Sequence, residues 1–111
     1  MTIEDQETVD AIGVDRSGRE VVLVISDHLD WTNPRNHLEA LQEKINTYLR
    51  FIESGEMAQT YPKAVGRAPV IKVVGAHPLS ADGIRFFEDA LPVLREAGVD
   101  LRFAMLPEDR T

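Results

Sequence analysis

The sequence predicts a two-layer α/β sandwich (α+β in composition): a four-stranded mixed sheet with two helices on one face, in the order ββαβαβ. Three observations predict it. A turn cluster, "DRSG", joins two apolar runs and makes the first two strands an antiparallel hairpin. Two segments of helical period then alternate with apolar runs, which makes the later strands parallel with right-handed crossovers. Finally, Lys72 and Arg102 interrupt the third and fourth strands on one side, so the second face of the sheet is open.

Residues 8–15, "TVDAIGVD", alternate well enough for the first strand, with Val9, Ala11 and Gly13 opposed to Ile12 and Val14. Gly18 can adopt the positive φ that a tight turn needs. Residues 19–26, "REVVLVIS", follow as a central strand. Asn33 is the N-cap of the first helix and Pro34 suits its first position, where no amide donor is required. Leu38, Leu41, Ile45, Tyr48, Leu49 and Ile52 recur at helical spacing, with Glu39, Gln42, Glu43, Asn46, Arg50 and Glu53 opposite. Gly55 ends this helix as a left-handed cap. Residues 56–69 show no period and read as a long connection, whose Lys63 and Arg67 could dock a partner. The third strand is 69–78, with Ile71 and Val73 facing one way and Val70, Lys72 and Val74 the other. The second helix opens at Ser80, packs Ile84, Phe87, Leu91 and Leu94 inward, and closes at Gly98; Pro92 should kink or split it. Residues 99–106 alternate Leu101, Phe103 and Met105 against Arg102 and Ala104 as an edge strand. Residues 1–7 and 107–111 read as loose tails of a single domain, 1–111.

Composition narrows the function classes. The chain carries a net charge of −7, of which Glu4, Asp5, Glu7 and Asp10 supply −4, so the acidity is concentrated at the N-terminus. The twelve Lys and Arg are scattered singly, which argues against nucleic acid. The longest apolar run, Val21 to Ile25, is far shorter than the roughly 20 residues that span a bilayer, so no membrane partner is expected. There is no cysteine, which removes disulfides and thiolate chemistry and makes the cytoplasm the expected location.

In parallel α/β units, sites form beyond the carboxyl ends of the strands. The second strand ends at Asp27 and His28, the third at His77, and the fourth near 107–109; Asp30, Trp31, His37 and Ser80 belong to the same edge. Three readings compete there. In the first, Asp27, Asp30 and Ser80 satisfy loop amides, His28 and His77 are partly buried hydrogen-bonders, and Trp31 seals the core. In the second, the two helix amino ends form an anion or small-ligand pocket, although no Gly-rich phosphate loop is present. In the third, His28, His37 and His77 with Asp27 or Asp30 form a metal or hydrolytic site. No HExxH or G-x-S-x-G occurs, and Asp27 and His28 must point to opposite faces if the strand continues through them. The expectation is a non-enzymatic binding or protein-interaction module using this edge, with no cofactor. The alternative is a small metal-assisted or acid–base hydrolytic enzyme using His28, His37, His77 and Asp30. The partner would be another protein, or a second copy paired through the apolar edge strand at 99–106.

"DHLDW" at 27–31 and the helix from His37 to Gly55, including Leu41, Gln42, Lys44, Asn46 and Tyr48, resemble a family of small bacterial proteins classed as a domain of unknown function. The likeness covers roughly residues 8–106 and is less specific after Gly66. It implies a bacterial cytoplasmic protein and transfers no catalytic residues.

Overall fold

The computed structural model of the chain describes residues 11–106, so the tails and residues 8–10 of the first strand lie outside the described residues. Its elements are β1 (Ala11–Val14), β2 (Glu20–Asp27), α1 (Pro34–Glu53), α2 (Glu56–Thr60), β3 (Ala68–Gly75), α3 (Ala81–Glu96) and β4 (Asp100–Met105). They form one sheet in the order β1-β2-β3-β4, with β1 antiparallel to β2 and the other pairs parallel. This is the predicted topology.

The β1–β2 turn is built by Asp15. Its carboxylate accepts from the Ser17 hydroxyl and from the Glu20 amide, and Gly18 takes φ +73°. The Ser17 hydroxyl foremost, helped by turn amides, holds the Asp15 carboxyl below its ordinary value. Along β2, Val21, Leu23, Ile25 and Asp27 are buried while the intervening residues are less so. That period places the buried set, with Ile71 and Val73 of β3, against Leu41, Ile45 and Tyr48 of α1 and Leu94 of α3. The Tyr48 hydroxyl, at the buried end of its ring, donates to the Val24 carbonyl at 2.6 Å.

The opposite face carries Val22, Val24, Lys72, Val74 and Ala104, all half-buried, and exposed Arg102. Val70 belongs to this face but is only 1% exposed. The register explains it. Arg102 on β4 donates to both carboxylate oxygens of Glu20 on β2, so its side chain passes over β3 at the level of Val70. Arg102 also donates to Asp100. Burial would raise the Asp100 carboxyl, but the Leu101 amide, Arg102 and Arg95 together outweigh it and leave the group lowered.

Three sequence expectations are corrected. The connection after α1 is not irregular: α2 and a 3-10 turn at Pro62–Ala64 fill it, held by buried Met57 and Ala64. Elements this short give no readable period. Helix α3 is not split at Pro92, which is exposed in its last turns, so of the two expected outcomes the split is the one overturned. Ile84, expected inside, is 49% exposed, and Lys44 of α1 is fully buried with its ammonium 5.6 Å from the Tyr48 ring centre.

At the end of β3, a Cβ on Gly75 would stand 2.8 Å from the Phe103 ring and 3.2 Å from the His77 carbonyl oxygen. Gly75→Ala is therefore expected to lower stability by roughly 1–3 kcal/mol in urea denaturation, the usual cost of overpacking. An unchanged midpoint would show that the Phe103 ring gives way freely.

Candidate functional site at the strand exits

Beyond the ends of β2 and β3 the chain turns into α1 and α3 on a shared rim, because Asp27 is paired with Gly75 and its carbonyl accepts from the Ala76 amide. Asp27 continues the inward alternation of Val21, Leu23 and Ile25, so its carboxylate enters the layer between sheet and helices. His37 lies one helical turn before Leu41 and enters the same layer from α1.

The two meet. His37 Nε2 lies 2.5 Å from Asp27 Oδ2, and the side chains are 2% and 3% exposed. His37 Nδ1 lies 3.0 Å from the Asp30 carbonyl oxygen, and Asp27 Oδ1 accepts from the Leu29 amide at 3.1 Å. A carbonyl oxygen can only accept, so Nδ1 donates to it, and Nε2 is left to face Oδ2. Both nitrogens of the ring and both oxygens of the carboxylate are thus engaged. Trp31 stacks on the imidazole with ring centres 3.7 Å apart. On its far side Trp31 meets α3 at Gly83, where a Cβ would stand 2.8 Å from the indole. Ser80 caps α3 by accepting from the Gly83 amide at 3.1 Å, and Asn33 caps α1 by accepting from Asn36.

The remaining rim groups face outward. His28 and His77 are exposed, and so is Asp30, whose Oδ1 accepts from the Thr32 amide at 3.0 Å. That amide foremost, then the Thr32 hydroxyl and the nearby His77 and His37 rings, hold the Asp30 carboxyl below its ordinary value. Asp30 borders a depression of about 460 Å³, together with Leu29, Asn33, Asn36 and Ala40.

Asp27, Asp30, Trp31 and His37 therefore come together, with Ser80 behind Trp31. His28 and His77 share the edge but point to solvent. The three imidazoles do not form a ligand cluster: among the described residues no three His, Asp or Glu side chains are grouped to hold a metal ion. An activating dyad would leave one ring nitrogen free to take a proton from a nucleophile, and His37 has none. The sequence reading missed this pairing. The signal was present, since Asp27 is in phase with the buried strand residues and His37 with Leu41, Ile45 and Tyr48.

Set beside known proteins, residues 1–107 match the model of one family, described only as a family of unknown function (DUF6572). No curated protein and no solved structure matches the chain.

Breaking the buried pair from one side strands a polar group in the core. Asp27→Leu and His37→Leu are each expected to cost roughly 3–5 kcal/mol in urea denaturation, and the double Leu variant less than their sum. Single losses near zero would show that the pair does not hold the rim together. The Asp30 carboxyl should titrate below 3.8 when followed by carboxyl-carbon NMR, and Thr32→Val should raise its midpoint. Because the folded value is the lower one, this interaction supports the fold above the unfolded value and is lost as pH falls through the folded one. A midpoint that does not move in Thr32→Val would remove the Thr32 hydroxyl as a cause and leave its amide, which valine keeps.

Proposed function

The chain belongs to the DUF6572 family, which brings no activity with it, and from the geometry we propose that it is a non-enzymatic protein-interaction module of the bacterial cytoplasm. The observation that carries this is the engagement of every polar atom of the Asp27 and His37 side chains. Their work is to fix the rim, which supplies a rigid surface rather than a proton acceptor. The outer layer, exposed His28, Asp30 and His77, offers polar groups on that rigid base, and Asp30 borders the 460 Å³ depression, which His37 also lines. No arrangement among the described residues favours the metal-assisted alternative. The cytoplasmic assignment rests on the cysteine-free composition and the bacterial one on the family likeness.

A second copy paired along β4 is the weaker choice of partner. Asp100 Oδ1 already takes the Leu101 amide, which blunts strand addition there. Met105 and Leu106 stand exposed only at its end.

Photo-crosslinking amino acids at His28 and His77 in the source cell should each give one adduct of the same mass, and one at Arg16, in the hairpin at the other end of β2, should not. Adducts no more frequent than at Arg16 would reject the rim as a contact surface.

A further inference from the structure

On the helix layer, α1 and α3 do not close on each other. Two adjoining depressions, of about 600 and 370 Å³, run between them and share Gln42 and Phe86. Leu38, Ile45 and Leu49 of α1 and Phe86, Ala90 and Val93 of α3 make an apolar floor. Val93 is 63% exposed, an unusual position for a valine pointing into a groove. The charges along the walls are one-sided: Glu39, Asp82 and Asp89 against Arg35, which lies 3.5 Å from Glu39. From Arg35 to Leu49 the groove follows α1 for roughly 21 Å at 1.5 Å per residue, the length of a four-turn helix. Its open end adjoins the rim, since Asn33 lines the rim depression and Pro34 the groove.

We propose that this groove receives a basic amphipathic helix of a partner protein, whose apolar face covers Phe86 and Val93 while its Lys or Arg side chains meet Asp82 and Asp89. An apolar trough whose walls carry Asp82 and Asp89, with Arg35 occupied by Glu39, is the complement of such a segment. The net charge of −7 adds long-range attraction for it. The inference rests on the interaction reading above and supplies the chemistry of the partner.

The probe is a labelled 14-residue Leu/Lys amphipathic peptide. Beside it run a Ser/Lys peptide of equal charge and a Leu/Glu peptide of equal apolarity. The Leu/Lys peptide should bind saturably at one site, with amide NMR shifts centred on Gln42, Phe86, Ala90 and Val93, and the two controls should not. Asp82→Asn with Asp89→Asn should weaken it roughly tenfold, as two partly screened surface pairs would. Val93→Ser, at an exposed position that leaves the fold intact, should weaken it too; Lys72→Gln, on the opposite face of the sheet, should have no effect. Equal binding of the Ser/Lys peptide, or shifts centred elsewhere, would overturn the proposal. So would a dimeric mass in sedimentation that Val93→Ser converts to monomer, because a second copy would then fill the groove. Peptide failure alongside rim crosslinks removes the groove alone. Absence of adducts from His28, His77 and a further crosslinker at Asn46 removes the interaction reading itself.

Discussion

The buried contact between Asp27 and His37 fixes where the sheet ends and the first helix begins. The pair lies where β2 has reached the full depth of the core and the chain must reverse into α1. Water cannot serve the polar groups released at that reversal, because both side chains are almost wholly covered. The carboxylate takes the Leu29 amide and the imidazole donates to the Asp30 carbonyl, so the two side chains replace the missing solvent for the loop between them. Trp31 closes over the imidazole, and Gly83 lets α3 approach Trp31. The position of α3 therefore depends on the same pair through an indole ring and a glycine without a side chain.

How much of this was legible follows from which interactions are local. Strand order, the turn at Gly18, the cap at Asn33 and the close of α1 at Gly55 all rest on residues near one another in sequence, and the structure agrees at each. The short helix at Glu56–Thr60 was hidden because five residues carry no period, and burial of Met57 is a tertiary fact. Lys44 was unreadable for a related reason: a lysine in helical phase with Leu41 and Tyr48 reads as a surface residue until its surroundings are known. The site was half legible. Topology put Asp27, Asp30, Trp31 and His37 on one rim, but pairing Asp27 with His37 required combining two periods, one from a strand and one from a helix, that meet across ten positions.

The pairing also divides the polar residues of the rim into two layers with different consequences. The inner layer is satisfied by the protein itself and resists change, since removing one partner leaves the other buried without one. The outer layer, His28, Asp30 and His77, touches solvent. Three histidines in 111 residues suggested a metal or acid–base centre. Depth within the fold, rather than proximity along the chain, separates the buried imidazole of His37 from the two exposed ones.

The groove between the helices is a consequence of the same anchoring. Helix α1 is tied to the sheet through His37, Leu41, Ile45 and Tyr48, and α3 through Leu94 and the contact of Phe87 with Phe103. Each helix is held from below by its own strands, and at the rim α3 is also set by Trp31. Two parallel strands with a helix apiece fix an interhelical gap floored by Ile45, Leu49 and Leu94, and above that floor stand Gln42, Asn46, Ala90 and Val93 beside a single ring at Phe86. Such small and polar residues leave the gap open. An apolar floor kept from closing by the geometry of the sheet, and walled by carboxylates, is a surface whose exposure is enforced by the fold, and a basic amphipathic helix would relieve both its apolar and its electrostatic cost at once.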